Sequence, residues 1–362
     1  TLGAHGQITG ATLTSIGAGY TATPTVSISV PVTTSITQSA GTLAVKGNLS
    51  LGSGAILDKA NDVAALVLNN TTGNVLLNDI NDLSISGKSA GRVVAIAGGN
   101  SPTALAPMAN TWNASLGNLD VAGLSVYALN GGGGNSGTIT QQSGTAVRSS
   151  GLTQFTTINN NIVLSNSGNN FGRVELRVTS TDGSRTVNVS EDGTMRLGVL
   201  NSRGTSTLVS RTGSIIEDPD ANTTVTNNGT LVATANSGSI LIGNTTRAAG
   251  SPLTTTGNLV TANLTAPTGA AAVQSSANIT LGNTNVNSLV VTSGNNILQS
   301  AAVRVFGTAN FTATNNITLT NTGNNFGRVS LATTNTTAAP TNGLFRDISI
   351  VESGTLNLGT VS

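Results

Sequence analysis

The nine residues Asn166-Ser-Gly-Asn-Asn-Phe-Gly-Arg-Val174 return as Asn321-Thr-Gly-Asn-Asn-Phe-Gly-Arg-Val329, with eight of nine positions identical. The flanks repeat as well. Asn160-Asn-Ile-Val-Leu-Ser-Asn166 parallels Asn315-Asn-Ile-Thr-Leu-Thr-Asn321, and Glu191-Asp-Gly-Thr-Met-Arg-Leu-Gly198 parallels Glu352-Ser-Gly-Thr-Leu-Asn-Leu-Gly359. Fainter module starts stand at Ile36-Thr-Gln-Ser, Ile139-Thr-Gln-Gln, Ile215-Ile-Glu-Asp and Ile297-Leu-Gln-Ser, at uneven spacing. Within a module the strands are short and alternate apolar with polar, as in Asn278-Ile-Thr-Leu-Gly and Gly238-Ser-Ile-Leu-Ile-Gly. A strand of four or five residues cannot bury its apolar face alone, so repeated units of this kind must stack on one another.

Composition agrees with stacking. Thr, Val, Ile and Ser suit an extended backbone, while the 44 glycines and many asparagines supply tight corners. Disorder is excluded because 37% of residues are apolar and net charge is only +1. No window shows apolar positions at helical spacing, so almost no α-helix is expected. The sequence predicts an all-β parallel β-helix, elongated, with coils of roughly 20 residues spaced by ~4.8 Å. In such a stack, Asn side chains aligned at the corners would bond along the axis.

Two segments depart from the pattern. Residues 1–33 read as a short β-hairpin-like linker or small unit, because Pro24 and Pro31 cannot sit in a central ladder. The β-helix is then expected over 34–362. Residues 98–136, with Pro102, Pro107, Trp112, Tyr127 and Gly131–Gly134, read as an extra-helical loop on the shaft. Trp112 and Tyr127 are its candidate contacts with a ligand or partner, since aromatic rings stack on sugars and anchor protein contacts.

The order Ile-Thr-Gln-x-x-Gly-Thr-Leu, then Asn-Asn-Ile-x-Leu-x-Asn-x-Gly-Asn-Asn-Phe, then Gly-x-Leu-x-Leu-Gly resembles filamentous haemagglutinin-like exoproteins, the two-partner-secretion and autotransporter-type bacterial adhesins. The resemblance covers roughly residues 36–362. It implies a right-handed parallel β-helix at the bacterial cell surface, and it transfers no catalytic residue because the shared motif is a packing repeat.

Catalytic material is sparse. His5 is the only histidine and cysteine is absent, so a Ser-His-Asp triad, thiol chemistry and Cys or His metal sites are not expected. The rival class is a carbohydrate-active β-helix enzyme or phage tailspike, which needs carboxylates converging with Arg in a groove. It could draw on Asp58, Asp62, Asp79 and Asp82, on Asp182, Glu191 and Asp192, or on Glu217, Asp218 and Asp220. The first set sits in Asn-rich turns and is expected to cap backbone. Glu217-Asp-Pro-Asp220 lacks the calcium-loop pattern and is expected to be a solvated turn. Arg173 and Arg328 recur with the module, as do Asn170, Phe171, Asn325 and Phe326, and such residues are expected to pack or cap it. Asn-x-Ser/Thr triplets such as those at Asn70 and Asn244 follow from composition.

Scattered arginines offer no track for a phosphate backbone, so nucleic acid is not an expected partner. No apolar run approaches the ~18 residues that span a bilayer, and the segment is not expected to insert in one. The expected role is a non-enzymatic structural or adhesive segment of a large secreted, outer-membrane-associated bacterial protein. It would need no cofactor, and it would associate with itself or with other cell-surface components, or with a glycan or the surface of a host or neighbouring cell.

Overall fold

Period-two alternation leaves each strand with one apolar face, and the surface that can cover its edges is the next copy of the same strand. A computed structural model describes residues 26–28, 35–99, 112–129, 137–180, 183–218, 224–243, 259–334 and 346–362. The chain is all-β, with parallel strands stacked as a β-solenoid and no helix among the described residues. No helix there is long and apolar enough to cross a membrane. The chain divides into two compact units, Thr1–Gly172 and Arg173–Ser362.

In the first unit Ile36, Ala55, Val75 and Val93 stand above one another in parallel register, at rises of 19, 20 and 18 residues. A second column runs Leu49, Leu66, Ile85, Leu116, and none of its four side chains has any exposed surface. Each such side chain contributes roughly 1.5–3 kcal/mol by burial. Strands are longer than the four or five residues of the sequence motif because pairing continues around corners. Ala55–Thr71 spans 17 residues, and its register slips between Leu57 and Asn61 and again between Leu68 and Thr71.

Val93 and Leu124 are also register partners, but 31 residues apart, a stretch that includes 100–111. The expected single loop over 98–136 is therefore corrected. Ala114–Ala128 is a 15-residue strand paired with Leu83–Ala97, with register slips between Ile85 and Gly87 and between Ser89 and Arg92, and its Leu, Val and Ala side chains fill the core column. Residues 100–111 and 130–136 lie outside the described residues. So does most of the segment 1–33, of which Val26–Ile28 pairs in parallel with Leu49–Leu51.

The second unit repeats the design. Ile279, Ile297, Ile317 and Ile348 form one column, and Ala271, Leu289, Ala309 and Val329 another. At the corner before the isoleucines, Asn278 Oδ1 accepts from Asn296 N and Nδ2, Asn296 Oδ1 accepts from Asn316 N at 2.9 Å, and Asn316 Oδ1 accepts from Asp347 N at 3.0 Å. This is the expected asparagine ladder.

One polar device occurs three times. Gln38, Gln141 and Gln299 each donate Nε2 to the Oδ1 of a fully buried Asn on a later coil, namely Asn61, Asn169 and Asn324. That same oxygen accepts a strand-opening backbone N–H, from Leu43 at 2.9 Å, Val147 at 2.9 Å and Val303 at 3.0 Å. The amide nitrogen then donates to the carbonyl of Leu57, Leu164 or Leu319. The module start Ile-x-Gln is thus half of a clasp whose other half is the first Asn of Asn-Asn-Phe in two cases and Asn61 of Asn-Asp-Val in the third.

Asn170 and Asn325, the second Asn of each pair, are exposed. Asn324→Ala leaves the N–H of Val303 and the carbonyl of Leu319 buried without that partner and is expected to cost about 2–4 kcal/mol. Asn325→Ala should stay within ~0.5 kcal/mol. Urea unfolding of the two variants beside the parent chain measures both.

Candidate functional site

The first unit carries a hollow of about 400 Å³ on its outer surface, walled by Leu76, Ile96, Leu129 and Ile158, with Asp58, Asn78, Gly98 and Gly99 completing it. Outward positions of stacked strands build it, because Asn78 pairs with Ile96 in register and Ile96 with Tyr127. Both aromatic candidates lie beside it. Tyr127 is half-buried and stands next to Ile96 in the ladder. Trp112, also half-buried, lays its indole on Gly98, so close that a β-carbon there would stand 2.6 Å from Cδ1. Gly98 also has φ +75°, so this corner requires glycine twice over. The two aromatics reach one neighbourhood because the strand that carries Tyr127 begins two residues after Trp112.

The aspartates of the first unit cap rather than converge. Asp58 pairs with its neighbour Lys59 at 3.2 Å, Asp62 accepts from Asn81 Nδ2 at 2.7 Å, and Asp82 accepts from the backbone of Asn113. Asp79 is fully buried and accepts backbone N–H groups from Val63 at 2.7 Å and Asn81 at 2.9 Å. Among the described residues no group of three or more His, Cys, Asp or Glu is placed to hold a metal ion.

The second unit holds the ionic centre that sequence reading missed. Glu175 Oε1 accepts from Arg173 at 2.6 Å and Oε2 from Arg177 at 3.0 Å. Asp218 receives Arg196 at 3.0 Å and Arg173 Nε at 3.3 Å. Both carboxylates are buried, and the arginines keep between a quarter and a half of their side chains in solvent. The network forms because Arg173 lies across Gly198 of the next coil, where a β-carbon would meet Nε at 2.4 Å. A register slip at the same glycine turns Glu175 into the bend.

The solvated turn expected at Glu217–Asp220 is corrected on this ground, since Asp218 is drawn under the guanidinium groups. Glu217 faces inward beside Leu197 and accepts from Gly243 N at 2.7 Å. Asp182 and Asp220 lie outside the described residues. Arg173, Glu175 and Arg177 are neighbours on one strand, and only the coil register brings Arg196 and Asp218 to them.

The repeated positions separate by role. Phe171 and Phe326 are buried, and each meets a phenylalanine of another strand edge-to-face at 5.9 Å, Phe155 and Phe311 respectively. Arg328 lies over Gly359 as Arg173 lies over Gly198, but Ser330 stands where the first copy has Glu175, and Arg328 is exposed. The repeat therefore supplies the packing, and the ionic centre is added to one copy.

A family model described as repeats of unknown function (DUF5649) matches residues 104–177 and 268–333, which contain the two copies of the Asn-Asn-Phe-Gly-Arg motif. No curated protein and no solved structure matches the chain.

Removing one member of the ionic centre leaves buried carboxylates without their counter-charge. Arg173→Met is expected to destabilise the second unit by on the order of 2–4 kcal/mol, the lower end reflecting its partial exposure. Arg328→Met, the same change without buried carboxylates, should be close to neutral. Thermal unfolding followed by circular dichroism compares them.

Proposed function

We propose that this chain is a non-enzymatic structural or adhesive segment of a large secreted bacterial surface protein of the filamentous haemagglutinin-like kind, serving as a spacer, filament or sheath component. The observation that carries this reading is the fate of its polar side chains. Gln38, Asn61, Gln141, Asn169, Gln299 and Asn324 bond coil to coil, the corner asparagines bond along the ladder, and Asp62, Asp79 and Asp82 cap backbone or amide groups. At these positions the polar side chains hold the stack, which supports a structural reading. The repeat architecture and the matched repeat family support the same reading.

An extracellular, outer-membrane-associated location fits a chain with no cysteine, whose stability rests on ladders rather than disulfides. Partners in this reading are further copies or other surface components. Contact with a glycan is favoured by one feature, the apolar hollow flanked by Trp112 and Tyr127. The carbohydrate-active alternative needs free carboxylates beside Arg, whereas Glu175 and Asp218 are each held by two guanidinium groups.

Cryo-electron microscopy of the native material tests the proposal. Regular contacts between copies along an axis establish a filament or sheath, isolated rods on the surface establish a spacer, and a compact soluble particle turning over a polysaccharide would sink both. Contacts through neutral Thr and Asn surfaces should change little between low and high salt, which sedimentation at the two ionic strengths reads directly.

A further inference from the structure

Asn61 and Asp79 are register partners on successive coils of the first unit, and neither has any exposed surface. Both cap a strand-opening N–H at their corner, Leu43 for Asn61 and Val63 for Asp79. The amide also donates, to the carbonyls of Leu57 and Asn78 at 3.1 Å. An ionised carboxylate has no donor and adds a charge. A neutral carboxyl has one donor and stands much closer to the amide it replaces.

The charges facing Asp79 do not neutralise it. On its own side of the corner stands Asp82, which accepts from Asn113. On the strand Ala55–Thr71 stands Asp62, bonded to Asn81, while Lys59 is occupied with Asp58 at the surface. On the coil beyond, Ala97 and Gly99 carry no charge, and Gly99 donates its N–H to the Asp79 carbonyl. Among the described residues no cation pairs with Asp79. Burial, with a smaller push from Asp62 and Asp82, holds its carboxyl up to about 7 against the pull of two backbone N–H groups.

We propose that Asp79 makes this corner a pH-responsive element of the first unit. With the carboxyl neutral, the corner closes as it does at Asn61. With the carboxylate charged, water enters and the coils around residues 61–99 open more often. Because the folded-state value lies above the ordinary 3.8, the stabilising contribution is complete below about pH 4 and is lost as the pH rises through about 7. Between pH 6 and pH 8 this linkage enlarges the local opening equilibrium by roughly tenfold.

Hydrogen exchange of the full chain, read by mass spectrometry at pH 6 and pH 8 and corrected for intrinsic rates, tests the proposal. Peptides within 61–85 should lose about tenfold in protection at pH 8 while peptides within 297–319 keep theirs, and Asp79→Asn should abolish the difference. Equal protection at both pH values overturns the proposal, as does a change that spreads over the whole chain or survives in Asp79→Asn. Should that variant fail to fold, the double variant Asp62→Asn/Asp82→Asn keeps Asp79 in place. It must move the transition to lower pH, and an unmoved transition overturns the proposal equally.

Discussion

The structure depends on satisfying the backbone N–H that opens each strand after a corner. At most corners that donor finds a carbonyl of the neighbouring coil, as Leu119 N finds Ala146 O and Thr284 N finds Ala302 O, but at Leu43, Val147 and Val303 a gap in the ladder leaves it to a side chain. Asn61, Asn169 and Asn324 fill that gap with a buried amide oxygen and use their own N–H groups on nearby carbonyls. An amide suits the place because it accepts and donates without charge, and desolvating it costs far less than desolvating an ion. The Gln of a second coil then locks the amide in orientation. A motif that looks like low-complexity Asn and Gln is therefore the specific part of the fold, and the more recognisable Ile, Leu and Val columns are interchangeable within their volumes.

The fold was legible because its signals are local and repeated. Alternation, glycine and asparagine corners, and a returning nine-residue segment all point to stacked short strands. What could not be read was anything that register alone decides. The motif Asn-Asn-Phe shows two asparagines of equal appearance, yet only Asn169 and Asn324 turn inward, because Phe171 and Phe326 must also face the core two positions later. The partners of those phenylalanines, Phe155 and Phe311, stand on other strands and share only the short pattern Phe-Thr-x-x-Asn-Asn, which announces no contact by itself. Glu217-Asp-Pro-Asp looked like a solvated turn because nothing in its neighbourhood announces Arg173 and Arg196, which reach it from other coils.

Charge is distributed by the same logic. Residues 173–218 hold twelve of the twenty-nine charged side chains in the chain, although they are about one eighth of its length. The described structure sorts them, placing Glu175, Glu191, Glu217 and Asp218 inside and the guanidinium groups nearer solvent. A stack of neutral ladders has no need of such a centre, and the second copy of the module does without it, with Ser330 and Ala332 at the positions of Glu175 and Arg177. The ionic bend is a local elaboration on a scaffold whose stability lies elsewhere.

The same corner explains where the chain tolerates extra residues. Strands on either side are pinned by ladders to the coils above and below, so a longer connection adds only the slowly growing entropy of a larger loop. In the first unit Gly99 and Leu129 end described stretches near the bond from Leu129 N to Ala97 O at 2.9 Å, and Ala114 N bonds Thr138 O at 3.0 Å where the strands resume. Where the coil is uninterrupted, as at Asn295-Asn296 and Asn315-Asn316, the asparagine ladder occupies that place. Those asparagines bond chiefly to one another at the surface, so losing one rung to an insertion leaves no buried group unpaired. The buried clasps admit no such change, since an added residue there would turn the capping amide out of the core. Length also varies at other corners, since Arg177 and Val187 stand ten residues apart where their register partners Asn201 and Ser206 stand five apart. At the asparagine corner, however, the hydrogen bonds lost are ones that water can replace, and the hollow beside Trp112 and Tyr127 lies there.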